Sequence, residues 1–335
     1  MSKKLNIAIN GFGRIGRAVF KVILEKYPNY KIVAINDLTD TKTLAHLLKY
    51  DSAYGVYNQK VSCNEKNIIV NNKKTPVLSE KDPSFLPWKK MKVDVVLECT
   101  GRFTNKEGLM MHIEAGAKKV ILSAPAKGEK NVKIIVLGVN EKKVNKKDQV
   151  ISCASCTTNC LAPVTDIIRQ KFGIKKALMT TIHAYTADQN LVDGPHRDLR
   201  RARSAAINAI PTSTGAAIAT SQVIPSLNGV FDGLAVRIPV VVGSMCDVVF
   251  LLKKKTTVEE INNHFSKACA TKYKGLVEAS YEPLVSSDII GNNHSAIVDL
   301  SLTRVIGGDM IKVIAWYDNE WGYSCRLADL IKHLF

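Results

Sequence analysis

Apolar residues in the first half of the chain fall into short runs broken by polar and glycine-rich turns, and these runs alternate with stretches of helical periodicity. Leu5–Asn10 reads as a strand, Arg14–Lys26 as a helix, Tyr30–Asn36 as a second strand and Thr41–Tyr50 as a second helix. Val93–Glu98 and Lys119–Ser123 are further apolar runs bounded by turn residues. Near-continuous Ile, Val and Leu mark strands buried on both faces, as in a parallel sheet with helical crossovers. The pattern is βαβ and predicts an α/β, doubly wound fold.

Beyond about residue 155 the texture changes. Leu178–His183, Leu234–Ile238, Met245–Leu252, Ala296–Leu300 and Ile311–Trp316 are strand-like and rich in β-branched residues. Helical patterns occupy Thr157–Lys171, Arg200–Asn208, Thr214–Val223 and Val258–Thr271, and Gly322–Phe335 closes the chain as a helix. This half reads as α+β with a mostly antiparallel or mixed sheet. The expected division is a Rossmann domain over 1–155, a second domain over 156–318, and a terminal helix, 319–335, packing back on the first.

Composition narrows the class. The 335 residues are 46% hydrophobic and 23% charged, ordinary for a chain with a large core. No apolar run reaches the roughly 20 residues that span a bilayer, so membrane insertion is not expected. Met1–Lys4 is basic but leads only into a short strand, which leaves no signal-peptide core and points to the cytoplasm. Eight cysteines in so long a chain do not make a disulfide scaffold. The formal charge of +17 is spread over lysine-rich segments, a solvated surface in the first instance; nucleic-acid or surface binding enters only as a secondary role.

Gly11-Phe12-Gly13-Arg14-Ile15-Gly16 follows a strand and opens a helix, the context that gives G-x-G-x-x-G its meaning. Gly11 permits the tight turn, Gly13 lets backbone approach a pyrophosphate, and Gly16 lets helix and strand pack closely. The helix N-terminus offers unpaired N–H groups to phosphate. Asp37 ends the second strand about 20 residues on, where a carboxylate meets a ribose 2′-hydroxyl and repels a 2′-phosphate. The cofactor expected is NAD.

Ser155-Cys156-Thr157-Thr158-Asn159 sits where the strand Gln149–Ser152 gives way to a helix. A thiol at a helix N-terminus is expected to ionise more readily, and Pro163 is expected to kink the helix or roughen its start. Cys153, Cys156 and Cys160 lie close together, but no second thiol pair follows, so no metal is expected. His183 closes a strand and is a candidate base for the thiol, although a lone histidine is more often structural.

Asn10–Arg17, Ala154–Asn159, His183–Thr186, Asp198–Arg203 and Trp316–Glu320, in this order from end to end, resemble the phosphorylating glyceraldehyde-3-phosphate dehydrogenase family. The resemblance implies Cys156 as the nucleophile toward an aldehyde and His183 as the general base. It implies glyceraldehyde 3-phosphate as substrate, and inorganic phosphate to cleave the resulting thioester. It assigns Thr186 and Arg237 to the substrate phosphate, and Ser155, Thr157, Arg203, Thr214 and Gly215 to the attacking phosphate. To NAD it assigns Asn10, Gly11, Gly13, Arg14, Ile15, Gly16, Asp37, Lys81, Ser123 and Asn319, with Tyr323 nearby. It further implies a homotetramer in which 184–203 forms a long loop reaching a neighbouring subunit's cofactor.

Some wording departs from the family. Gly194-Pro195 stands where NAD-specific bacterial members often carry Leu-Pro, and Val240–Met245 differs from the commonest bacterial form. The closest rival is erythrose-4-phosphate dehydrogenase; Thr186 after His183 fits the triose enzyme better.

Overall fold

The computed structural model of the chain describes residues 4–128 and 132–335. They divide into two compact units, one of Met1–Ile135, Lys142–Ala154 and Ser324–Phe335, the other of Val136–Glu141 and Ser155–Tyr323.

In the first unit β1 (Leu5–Asn10), α1 (Arg14–Lys26), β2 (Tyr30–Asn36) and α2 (Thr41–Lys49) follow in turn. A short pair, β3 (Tyr50–Asp51) and β4 (Gly55–Val56), leads to three antiparallel strands, β5 (Val61–Asn64), β6 (Asn67–Val70) and β7 (Lys73–Leu78). Then come β8 (Val95–Glu98), α3 (Lys106–Glu114), β9 (Lys119–Leu122), β10 (Lys133–Ile134) and β11 (Val150–Ser152). The described strands form a nine-stranded sheet in the order β10-β11-β9-β8-β1-β2-β7-β6-β5, parallel from β10 to β7. The chain leaves β1 on one side to make β2 and returns on the other to make β8. That reversal is the switch point at which doubly wound sheets open a ligand crevice. One sheet face, carrying Ala8, Ala34, Val96 and Val120, is sealed by Leu109 of α3 and by Trp88.

The glycines of the first turn have distinct physical duties. Gly11 has φ +88°, and a Cβ there would lie 2.7 Å from the Thr100 nitrogen. A Cβ on Gly16 would lie 2.1 Å from the Gly11 carbonyl oxygen, whereas one on Gly13 meets nothing within 4 Å.

The second unit contains α4 (Cys156–Phe172), β12 (Ile174–Ala184), β13 (Ile210–Thr212), α5 (Ala216–Val223), β14 (Phe231–Ile238), β15 (Ser244–Leu252), α6 (Val258–Ala270), β16 (Val277–Ser280), β17 (Ala296–Ile306) and β18 (Met310–Tyr317). Its described strands form a mixed seven-stranded sheet, β13-β14-β12-β15-β18-β17-β16. α4 packs across the central strands, continuous through Pro163. The opposite sheet face leaves Leu178, Leu234, Leu302, Ile306 and Met310 exposed. α7 (Trp321–Leu330) begins here, but from Ser324 its residues belong to the first unit, where the Tyr27 hydroxyl of α1 donates to Asp329.

One expectation fails. Arg200–Asn208 forms turns, not a helix. Its arginines instead reach Asp188, Thr212 and Asp193 by hydrogen bonds, and these tertiary bonds override helix propensity.

Gly16→Ala is expected to lower stability by about 3 kcal/mol or more, because the new methyl meets backbone that cannot step aside. Gly13→Ala should change it by less than about 1 kcal/mol. Urea midpoints of the two variants check the contrast; equal losses would refute the packing role given to Gly16.

Candidate functional site

In the first unit the turn after β1 builds a receptor for phosphate. Gly13 is the N-cap of α1, exposed, with no side chain bonding to the helix end and open space where a Cβ would sit. The first-turn N–H groups of a helix carry partial positive charge, so this end suits an anion. Asp37 is fixed beside it: the Phe12 N–H donates to its Oδ2 at 2.7 Å and the Thr39 N–H to its Oδ1 at 2.9 Å. A carboxylate has about four lone-pair sites, so acceptor capacity remains for a ribose hydroxyl. Open backbone at Gly13 and an anchored carboxylate at Asp37 fit the two ends of an adenosine diphosphate moiety, the chemistry that NAD demands.

The other residues expected at the cofactor are placed variously. Arg14 and Ile15 lie half-buried in the first turn of α1, and Arg14 Nη1 donates to Asp51 at 2.7 Å. Ser123 follows β9, its N–H bonded to the Glu98 carbonyl at 2.9 Å. Lys81 is exposed in the turn after β7. Asn10 is turned away from solvent: its Nδ2 donates to Glu98 at 2.6 Å and its Oδ1 accepts from Asn36 at 2.7 Å.

In the second unit Cys156, the expected nucleophile, is the first residue of α4. Ser155 caps the helix by accepting from the Thr158 N–H at 3.0 Å. Alternation along β12 turns Thr181 and His183 to the buried side of the sheet. The result brings Cys156 Sγ to 3.4 Å from His183 Nε2, across 27 residues of sequence. His183 Nδ1 lies 2.7 Å from the Ala184 carbonyl oxygen, which can only accept. Arg237 Nη1, a donor, also lies near Nδ1 but reaches the same carbonyl oxygen, so a proton on Nδ1 is accommodated by Ala184 and leaves the Nε2 lone pair to the thiol.

Arg237, the neighbour of His183 across β12 and β14, places Nη1 2.9 Å from His183 Nδ1 and 3.0 Å from the Ala184 oxygen. Its Nε is buried without a partner, and among the described residues no carboxylate pairs with it. A half-buried guanidinium in that condition asks for an anion. Burial, reinforced by the Arg237 cation, pushes the His183 pKa down to about 3. Burial also pushes the Cys156 thiol up to about 11, against the opposing pull of Arg237 and of hydrogen bonds from Thr157. The sequence-based expectation of a readily ionised thiol thus fails, because burial outweighs the Arg237 cation and the Thr157 hydrogen bonds. The resting pair is a thiol facing a neutral imidazole.

Behind the thiol, Thr157 Oγ1 lies 2.8 Å from the Tyr317 hydroxyl, which lies 2.9 Å from Thr181 Oγ1. Asn319 is buried, its Oδ1 accepting from Ser244 Oγ at 2.9 Å and from the Gly243 N–H at 3.2 Å, so its amide nitrogen is the end left to donate. Tyr323 is buried. Thr186 is half-buried just past β12. Thr214 and Gly215 sit at the N-terminus of α5, which packs against α4.

Arg203 is not brought to this centre. It is exposed and bonded to Asp193 at 2.8 Å. Arg201 is the arginine whose charge acts on both His183 and Arg237; it is held by Thr212 at 2.9 Å, by the Ser213 carbonyl at 3.0 Å and by Asp188. The run Arg200-Arg201-Ala202-Arg203 signals an arginine, but spacing in an irregular segment does not say which one turns inward.

The chain is matched over residues 5–106 by the family model "Glyceraldehyde 3-phosphate dehydrogenase, NAD binding domain" and over 155–319 by "Glyceraldehyde 3-phosphate dehydrogenase, C-terminal domain". It is 52% identical over 337 aligned residues to a glyceraldehyde-3-phosphate dehydrogenase of Borreliella burgdorferi, covering 98% of this chain and 99% of that protein. It is 52% identical over 329 residues to the Thermotoga maritima protein of that name and 51% over 331 to that of Geobacillus stearothermophilus, with 98% of each chain covered in both cases.

The depressed histidine has a consequence for stability. Unfolded His183 takes up a proton below about pH 6.5 while the folded form resists down to about 3. Stability is therefore intact above pH 6.5 and falls toward pH 3, by up to about 1.4 kcal/mol per pH unit. In urea titrations between pH 6.5 and 4.5, His183→Asn should fall less steeply than the parent by about one proton. Parallel slopes would overturn the assignment.

Proposed function

Because the chain belongs to the glyceraldehyde-3-phosphate dehydrogenase family, we propose that it oxidises D-glyceraldehyde 3-phosphate to 1,3-bisphosphoglycerate with NAD and inorganic phosphate, through a thioester on Cys156. The observation that carries this reading is the 3.4 Å contact between Cys156 Sγ and His183 Nε2. As sulfur adds to the aldehyde carbon, His183 Nε2 takes up the thiol proton. The imidazolium so formed then stands beside the new oxyanion and stabilises it. When bound, the nicotinamide supplies the acceptor for the hydride lost from the hemithioacetal. Inorganic phosphate then attacks the thioester carbonyl, and Cys156 leaves as thiolate. Sulfur suits the task because a thioester is a better acyl donor than an oxygen ester.

The substrate phosphate is assigned to Thr186 and to Arg237, whose unpartnered Nε supports the choice. An anion there offsets the cation that holds His183 low, so substrate binding prepares the base for its proton. Ser155, Thr157, Thr214 and Gly215, at the first turns of α4 and α5, serve the attacking phosphate. Arg201 takes the part that sequence gave to Arg203. Gly11, Gly13, Gly16, Arg14, Ile15, Asp37, Ser123, Lys81, Asn319 and Tyr323 are assigned to NAD, with Asn10 shaping the floor of the crevice. The anchored Asp37 favours NAD over NADP.

Residues 1–155 serve as the cofactor domain and 156–318 as the catalytic domain, with 319–335 returning to the former. Self-association as a homotetramer in the cytoplasm completes the reading. The exposed apolar sheet face bearing Leu178, Ile306 and Met310 supports a partner subunit there. Among the described residues no helix is long and apolar enough to cross a membrane.

NADH formation from glyceraldehyde 3-phosphate should require added phosphate, and Cys156→Ser should retain NAD binding while losing activity at least about 10³-fold. Absorbance at the NADH band checks both. Near-normal turnover of the variant, or phosphate-independent oxidation with erythrose 4-phosphate preferred, would sink the reading.

A further inference from the structure

A buried charge lies beneath the crevice and takes no part in the chemistry so far described. Asn10 and Glu98 are the last residues of β1 and β8 and face each other in register at the switch point. Glu98 is fully buried. Its Oε2 accepts from Asn10 Nδ2 at 2.6 Å and lies 3.0 Å from His112 Nε2. Its Oε1 accepts from the Thr100 N–H at 2.8 Å and from the Thr100 hydroxyl.

The protonation of this group follows from one neighbour. Trp88 Nε1, which can only donate, lies 3.0 Å from His112 Nδ1. His112 Nδ1 must therefore accept, its single proton is on Nε2, and that proton is given to Glu98. All four contacts of Glu98 are donors, so the group is an ionised carboxylate. None of them is a lysine or arginine, and His112 is neutral. The negative charge is held by dipoles alone and is not cancelled. It lies under two turns that bound the crevice, since Gly11 is pressed against the backbone of Thr100.

We propose that Glu98 makes this crevice select the oxidised over the reduced nicotinamide. The inference rests on the reading of the first unit as an NAD site. Oxidised cofactor carries one positive charge on its ring that the reduced form lacks, and the rest of the two molecules is alike. A fixed negative charge at the crevice floor, screened weakly in the protein interior, favours the form with the extra positive charge. Glu98 thereby holds the oxidised cofactor for the reaction and loosens the reduced one for release. It acts by its field, without touching the ring, and is a specificity-determining residue. His112 and Trp88 are positioning residues that keep it charged and in place.

Dissociation constants for NAD and NADH, measured by calorimetric titration, test the claim. In Glu98→Gln the ratio of the NADH constant to the NAD constant should fall roughly three- to tenfold. In His112→Gln, whose amide can accept from Trp88 and donate to the retained carboxylate, the ratio should stay within about twofold of the parent. Should Glu98→Gln not fold, Trp88→Phe with His112→Lys sets an ammonium against the carboxylate and should lower the ratio in the same direction. Equal weakening of both forms when the charge is removed would overturn the proposal and leave Glu98 a shaping group only. Failure of the parent protein to bind either form would instead overturn the NAD reading itself.

Discussion

The hydrogen bond from His183 Nδ1 to the carbonyl of Ala184 decides what the second unit can do. A ring proton given to that oxygen leaves the Nε2 lone pair toward Cys156. With the other tautomer no lone pair would face the thiol. The geometry behind it is secondary structure throughout. Strand alternation brings His183 to the side covered by α4, a serine cap starts that helix at Cys156, and the register of β12 with β14 sets Arg237 beside the ring. The same arrangement keeps the pair neutral at rest, because burial opposes ionisation of either partner and Arg237 opposes a second proton on the ring.

In each unit a charged side chain of the candidate site is held by neutral groups. In the second it is Arg237, whose Nη1 donates to the Ala184 carbonyl and whose buried Nε has no partner. In the first it is Glu98, held by four neutral donors. Burying a lone charge is costly, and structures that tolerate one usually use its field. A cation suits an incoming phosphate; an anion suits a ring that alternates between cationic and neutral. Surrounding neutral dipoles keep both side chains in place while leaving the field intact.

Sequence made the parts with strong local rules legible. The alternation of Leu5–Asn10, Arg14–Lys26 and Tyr30–Asn36 survives unchanged, because buried parallel strands and an amphipathic helix each print their own period. The three glycines were readable one by one, since each answers to a separate steric demand. The family resemblance supplied the pairing of Cys156 with His183, which spacing could not, as their contact arises from a helix lying across a sheet. What stayed hidden depended on tertiary partners. β5–β7 are short, carry outward polar residues, and turn through Asn71 and Asn72 at positive φ, so their period is weak. The segment 200–208 has helix-forming residues whose side chains are claimed elsewhere. Glu98, His112 and Trp88 are single residues with no periodic signature at all.

The hydroxyls behind Cys156 form a chain with a direction. Thr181 Oγ1 lies 3.2 Å from the Met245 carbonyl oxygen, which has no hydrogen to give, so Thr181 donates there. Tyr317 must then donate to Thr181, and Thr157 to Tyr317. Thr157 thus bonds inward through its hydroxyl, 2.8 Å from that of Tyr317 and 4.0 Å from the Cys156 sulfur. Its side chain is the end of a polarised wire that anchors the helix to the sheet, and what α4 offers an anion is the backbone N–H groups of its first turn.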